Sequence, residues 1–130
     1  MRKFILLVCF SIIFLLLNCE PPEEDETNPD LRIVNSFTNY KITGVGLTGQ
    51  GFTEPGEYLL PGERTEYEKV YSCTAMILVY SWMNINNPSD SGDFSIITAE
   101  GQYPALEEHE TYTLTYSGDK EDPTIEITQP

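Results

Sequence analysis

Strict alternation of side-chain types is the feature of this sequence that most limits its possible folds. In the segment Thr-Tyr-Thr-Leu-Thr-Tyr at residues 111–116, threonine occupies every odd position and a larger apolar or aromatic side chain every even one. The segment Thr-Ile-Glu-Ile-Thr at residues 124–128 has the same period of two. Because successive side chains of a β-strand point to opposite faces, this pattern predicts strands with one buried and one solvated face.

Further segments of strand character lie upstream, separated by glycine and proline turns. They begin near Leu31, Tyr40, Arg64, Ala75 and Asp93. The second of them changes the parity of its alternation at a glycine, Gly44, which predicts a β-bulge there. The fourth, residues 75–83, is almost entirely apolar and is predicted to be a central strand covered on both faces.

The turns agree with an all-β chain. Pro55-Gly56 and Pro61-Gly62 match type II turns and leave space for only a short edge strand between them. Residues 117–123 are predicted to join the last two strands as a hairpin.

The segment before the apolar strand alternates acids with tyrosines. Glu66 and Glu68 are predicted to face water, and Tyr67 and Tyr71 to point inward.

About seven or eight short strands without a convincing helix predict one domain. The expected architecture is a single antiparallel β-sandwich of the immunoglobulin or transthyretin type, with a small β-barrel as the alternative. The pattern does not specify the strand topology.

The N-terminus has a different character. Arg2 and Lys3 precede an uncharged, strongly apolar stretch at residues 4–17, which is typical of a signal peptide. A helix of that length would span about 21 Å at 1.5 Å per residue, whereas a bilayer core of about 30 Å needs about 20 apolar residues. A permanent membrane span is therefore not expected.

The residues that end this stretch are Leu16, Leu17, Asn18 and Cys19. They resemble the lipobox of a bacterial lipoprotein precursor, in the looser form with asparagine that is found in spirochaete lipoproteins. The resemblance covers about twenty residues and implies that the leader is cut before Cys19 and that its sulfur carries diacylglycerol. Several acyl chains, such as palmitate, would hold the protein firmly, since each buried methylene contributes about 0.8 kcal/mol. The resemblance implies a lipid-anchored protein of the bacterial cell envelope. Of the two membranes, the outer is favoured over the inner.

The chain accordingly divides into three parts. Residues 1–18 are the predicted signal peptide, residues 19–30 the lipidated cysteine with an acidic, proline-rich tether, and residues 31–130 the β-sandwich domain. The tether has no hydrophobic side chain with which to order itself.

Charge excludes one class of partner. Without residues 1–18 the chain keeps five basic and 21 acidic side chains, a net charge of −16. Such a polyanion repels nucleic acid, so the predicted partners are membrane lipid, through acylated Cys19, and a protein. Only Cys73 would remain as a free thiol, which excludes an internal disulfide.

Catalytic groups are few. His109 is the only histidine, and its acidic, turn-like surroundings favour an exposed loop residue over a general base. A dyad of Cys73 and His109 is the remaining nucleophilic arrangement, but a cysteine in a tyrosine-rich strand is more often a small core residue. We therefore expect no enzyme and no cofactor.

One loop, residues 86–93, is rich in side chains with oxygen atoms that could bind a metal ion. Asn87, Asp90 and Asp93 are the calcium candidates. When Gly92 is placed at the glycine position of an EF-hand loop, both end carboxylates are lost, and turn propensity accounts for the same residues. No metal site is predicted.

Tyr103 lies in a loop between Gln102 and Pro104, where an aromatic side chain could contact a partner. Taken together, the sequence predicts a lipid-anchored envelope protein with a non-catalytic binding or structural β-sandwich. An adhesin-like protein that faces a host is the alternative, followed by a small enzyme or ligand carrier. The enzyme or carrier would need a cavity with convergent polar groups near His109 or Cys73.

Overall fold

A computed structural model describes residues 26–54 and 56–130. These residues form eight strands, which we number in chain order: β1 (Asp30–Asn35), β2 (Tyr40–Leu47), β3 (Gln50–Gly51), β4 (Glu68–Lys69), β5 (Ile77–Asn84), β6 (Ser91–Ile97), β7 (Thr111–Gly118) and β8 (Pro123–Thr128).

The strands form two four-stranded sheets. Sheet A has the order β4-β1-β7-β8 and sheet B the order β3-β2-β5-β6. Both sheets stay open within the described residues, so the β-sandwich is confirmed and the barrel alternative is wrong. The chain changes sheet four times, and each layer is therefore built from segments distant in sequence.

One strand pair differs from the antiparallel expectation. β1 runs parallel to β7, with Leu31 opposite Tyr112 and Ile33 opposite Leu114, while the other paired strands are antiparallel. Alternation of side chains is the same in both kinds of pair, so it did not reveal the direction of β1.

The predicted bulge at Gly44 is confirmed, because the register of β2 against β5 shifts between Ile42 and Gly44. The shift lets both halves of β2 bury apolar side chains in spite of their opposite parity. The predicted hairpin between β7 and β8 is also confirmed.

β5 is central in sheet B, but the expectation that it is covered on both faces is wrong. Leu78, Tyr80 and Trp82 are buried, whereas Ile77 and Val79 are exposed. No described element packs over the second face of sheet B. A strand that is almost entirely apolar can therefore have one face in water.

The core lies between the inner faces of the two sheets. An aromatic cluster occupies its middle: Tyr80 is stacked on Phe94 with ring centroids 5.0 Å apart, and contacts Tyr116 at 4.7 Å and Phe37 at 5.6 Å. Asn35 is also fully buried, and its side chain donates to the carbonyls of Tyr40 and Leu59 and accepts from the Phe37 N–H. This amide joins three parts of the chain.

The segment before β5 does not follow its predicted orientation. Tyr67 and Tyr71, expected to point inward, are both exposed. Residues 66–75 pair with sheet A only at β4, two residues long, so alternation does not specify a buried side there. Arg32 lies over the Tyr67 ring, 4.8 Å from its centroid.

Residues 26–30, the end of the predicted tether, make contacts with the domain. The Lys69 ammonium donates to the Asn28 carbonyl at 2.9 Å and to Asp30 at 3.1 Å, and the Val70 N–H donates to the Pro29 carbonyl. The His109 N–H donates to the carbonyl of Thr27. These residues are therefore part of the folded unit.

Candidate binding surface

The predicted lipidation site, Cys19, and the rest of the lipobox lie outside the described residues. In the part of the chain that the structure describes, no helix is long and apolar enough to cross a bilayer.

Cys73 and His109 lie in different surroundings. The Cys73 thiol is half-buried, and this burial raises its pKa, an effect that a hydrogen bond with Thr48 only partly offsets. His109 is exposed in a turn with a φ of 62°. Neither residue lines the cleft between the two sheets or the depression on sheet B that are described below.

The calcium candidates are used in separate hydrogen bonds. The carboxylate of Asp90 accepts from Asn84 at 3.0 Å and from the Tyr40 hydroxyl at 3.4 Å, whereas Asp93 accepts from Ser81 at 2.5 Å. The carbonyl of Asn87 accepts from the Asp90 N–H. Among the described residues, no group of three or more His, Cys, Asp or Glu side chains is placed to hold a metal ion.

The glycine of that loop has a packing role. Gly92 lies opposite Trp82 in the β5–β6 ladder, and a Cβ there would be 2.8 Å from Cζ2 of the indole. Only glycine leaves the indole ring enough space. Packing therefore accounts for glycine at position 92, and a role in metal binding is not needed to explain it.

Tyr103 is half-buried and packs against the core cluster. The structure therefore leaves only part of its ring available for contact with a partner.

One depression, of about 660 Å³, is a cleft where β3 of sheet B meets β4 of sheet A. Its polar groups already contact one another: Gln50 donates to the Lys69 carbonyl, and Lys69 pairs with Asp30. Burial, followed by repulsion from Glu54, raises the pKa of Glu68. The polar groups of this cleft therefore connect the edges of the two sheets to each other.

The second surface is the solvent-facing side of sheet B, which we call the outer face. Alternation along the paired strands places the following residues on it: Lys41, Gly44 and Gly46 of β2, Gly51 of β3, Ile77, Val79, Ser81 and Met83 of β5, and Ser91, Asp93, Ser95 and Ile97 of β6. A shallow depression of about 510 Å³ crosses it from β3 to β6.

The outer face exposes apolar side chains. Ile97 is 75% exposed, Ile77 44% and Val79 38%. Ile77 and Ile97 are directly opposite each other in the ladder, so they form one patch rather than scattered contacts. Contiguous exposed apolar surface is typical of interaction sites.

Four glycines, which we call the glycine floor, line this depression: Gly44, Gly46, Gly49 and Gly51. Gly49 has a φ of 87°, a conformation that favours glycine. A Cβ on Gly46 would lie 2.9 Å from the Gln50 carbonyl oxygen, so that glycine is needed for packing. A Cβ on Gly44 would meet nothing closer than 3.9 Å, one on Gly51 would meet nothing within 4 Å, and neither residue has a positive φ. Glycine weakens a strand, and it often marks a bulge, as next to Gly44, or a site that a ligand or another backbone can approach closely.

Charge is sparse on the outer face. Residues 26–130 carry 17 acidic and five basic side chains, but this face has only Asp93 and Lys41, and the Lys41 ammonium lies over the Tyr58 ring, 4.3 Å from its centroid. Depletion of charge is the compositional mark of the centre of a protein interface.

Sequence reasoning missed this surface because it assigned the whole apolar run at residues 75–83 to the interior. The sequence does carry one signal, since Ser81 shares the parity of Ile77 and Val79. A polar residue in that register indicates a wet face.

Comparison with protein-family models, with curated proteins and with solved structures found no match to this chain. The functional conclusion therefore depends on the chemistry of the outer face and of the N-terminal segment.

Proposed function

We propose that this protein is a lipid-anchored component of the bacterial cell envelope whose β-sandwich is a non-catalytic module that binds another protein through its outer face. The observation that carries the binding proposal is the combination of exposed Ile77, Val79 and Ile97 with two glycines, Gly44 and Gly51, on which a Cβ would meet no close neighbour.

The net negative charge of the domain favours a different protein over a second copy as its partner. Two copies of this domain would each bring a net charge of −12 over residues 26–130, and like charge opposes self-association. A different protein with basic groups around an apolar contact complements the apolar outer face and the net negative charge of the domain.

The anchoring part of the proposal rests on residues 16–19 and on the thiol of Cys19. The acidic tether would hold the domain away from the bilayer, with the outer membrane as the favoured location. A protein held in this way meets its partner close to the membrane.

Photo-crosslinking tests the binding surface. A photoreactive side chain at Ile97 should crosslink one protein in intact cells, and Val79→Asp should reduce that product by introducing a charge into the apolar patch. The matched control places the same group at Glu126, an exposed residue of sheet A. Equal products from both positions, or a product unaffected by Val79→Asp, would contradict the proposal.

Acyl labelling tests the anchor. The wild type should incorporate labelled fatty acid and fractionate with membranes, and Cys19→Ala should lose both properties. Cys9→Ala and Cys73→Ala should keep them, because only position 19 follows a lipobox. Labelling that persists in Cys19→Ala would refute the anchor, and protease treatment of intact cells would show whether the domain faces outward, as the adhesin-like alternative requires.

A further inference from the structure

β6 is a free edge of sheet B. On one side it pairs with β5 over seven residues, from Ser91 opposite Met83 to Ile97 opposite Ile77. Within the described residues no strand pairs with its other side. Unpaired N–H and C=O groups along a sheet edge can template a further strand.

The hydrogen bonds at the two ends of β6 show which main-chain groups are free. The Thr98 N–H donates to the Met76 carbonyl at 2.9 Å, and the Asn84 N–H donates to the Asp90 carbonyl at 2.8 Å. Hydrogen-bonded pairs recur at every second residue of an antiparallel ladder, so the even-numbered residues of β6 bond to β5. The outward-directed groups belong to the odd-numbered residues: Ser91, Asp93, Ser95 and Ile97.

The side chains beside this edge differ between its two faces. On the outer face Asp93 lies between two serines and accepts a hydrogen bond from Ser81. On the inner face Phe94 and Ile96 pack against the core but are only half-buried. A strand added here would find a carboxylate on one face and apolar surface on the other.

The other three edges offer less. β3 and β4 have two residues each, and β8 begins with Pro123, which has no N–H to donate. β6 is therefore the longest edge with free donors and acceptors in the described part of the chain.

We propose that β6 receives an extended segment of the partner protein as a fifth strand of sheet B. This inference rests on the proposed function and specifies the chemistry of the partner: apolar side chains alternate with polar ones, and a lysine or arginine lies opposite Asp93. Main-chain hydrogen bonds supply affinity in such strand addition, and alternate side chains supply selectivity. A second copy of β6 is disfavoured, because antiparallel pairing of two such strands about their centres would make the two Asp93 carboxylates diagonal neighbours on one face, about 7–8 Å apart.

The test uses the purified full-length protein in detergent and an acetylated octapeptide in which valine alternates with lysine. Hydrogen exchange is followed by nuclear magnetic resonance. Without peptide, the amides of Asp93, Ser95 and Ile97 should exchange much faster than those of Phe94 and Ile96. Saturating peptide should slow the three outward amides by about tenfold or more. If they keep their exchange rates, strand addition is wrong.

Proline substitutions in β6 distinguish binding at its free edge from binding at the outer face. Ser95→Pro removes an outward N–H, so it should abolish protection by the peptide and change the melting temperature little. Phe94→Pro removes an N–H that bonds to β5, so it should lower the melting temperature. If the Ser95→Pro protein still binds the peptide, the edge is not the site. Crosslinking at Ile97 that depends on Val79 would still support the outer face in that case, so the two proposals fail separately.

A charge exchange provides a variant that leaves the backbone unchanged. Asp93→Lys should weaken binding of the lysine peptide by about two- to fivefold, the range of an exposed ion pair. It should strengthen binding of a matched peptide in which valine alternates with glutamate. If Asp93→Lys changed the affinity of both peptides equally, Asp93 would not contribute to recognition and the predicted partner chemistry would be wrong.

Discussion

At the scale of single residues, three buried tyrosines differ in how their hydroxyls are used. Tyr112 accepts a hydrogen bond from the Glu107 N–H at 3.0 Å, and Tyr80 donates to the Lys120 carbonyl. Tyr116 is fully buried, and no described residue hydrogen-bonds its hydroxyl. Burial raises the pKa of Tyr116, so its phenol remains neutral, but neutrality does not supply the missing partner.

We therefore expect Tyr116→Phe to raise the free energy of unfolding by up to about 1 kcal/mol, since an unsatisfied buried hydroxyl costs about 1–3 kcal/mol. Tyr112→Phe is the matched control and should lower it by about 1 kcal/mol, because it leaves the Glu107 N–H without its acceptor. Urea unfolding followed by fluorescence measures both. A destabilised Tyr116→Phe protein would mean that this hydroxyl has a partner.

At the scale of elements, sheet B depends on the close approach of β2 and β3. A Cβ on Gly46 would lie 2.9 Å from the Gln50 carbonyl oxygen and 3.1 Å from Val79 Cγ2. Both are short for carbon contacts, and a carbonyl of the backbone cannot move aside as a flexible side chain can.

Gly46→Ala should therefore lower the free energy of unfolding by about 1–3 kcal/mol, the usual cost of overpacking. Gly44→Ala and Gly51→Ala should be neutral or stabilising by up to about 1 kcal/mol, because they restrict the unfolded chain without a clash. Thermal melts of the three variants check this order. If all three were equally destabilised, the glycine floor would be a requirement of the fold rather than of binding.

At the scale of the whole molecule, negative charge opposes the compact state. Residues 26–130 carry 17 acidic and five basic side chains. Of the described carboxylates, only Asp30 forms an ion pair, with Lys69. Lys120 lies over the rings of Tyr40 and Trp82, so it interacts chiefly with aromatic faces.

Salt should therefore stabilise the domain. Raising the ionic strength from about 0.01 M to about 0.15 M shortens the screening length from about 30 Å to about 8 Å. We expect a gain on the order of 1 kcal/mol, or about 4 °C in melting temperature. A double variant with Glu107→Gln and Glu108→Gln, both exposed, should respond less to salt. A melting temperature that falls with added salt would contradict this account.

The sequence by itself determined the features that depend on neighbours in the chain. The strands at residues 111–116 and 124–128, the hairpin between them and the bulge at Gly44 all follow from side-chain alternation and from turn chemistry. Such patterns are local, because a strand alternates its side chains whatever it pairs with. The lipobox at residues 16–19 is a local pattern of the same kind, and lipidation of Cys19 stays a prediction.

Only the tertiary structure decided which of these faces are covered. Ile77 and Val79 are as apolar as Leu78, yet they face water because no described element packs over that side of sheet B. The parallel pairing of β1 with β7, the exposure of Tyr67 and the free edge of β6 likewise depend on which distant segments come together. Apart from the polar Ser81 in the register of Ile77 and Val79, the chain alone did not reveal the outer face, since burial is a property of the assembled layers and not of the residue that is buried.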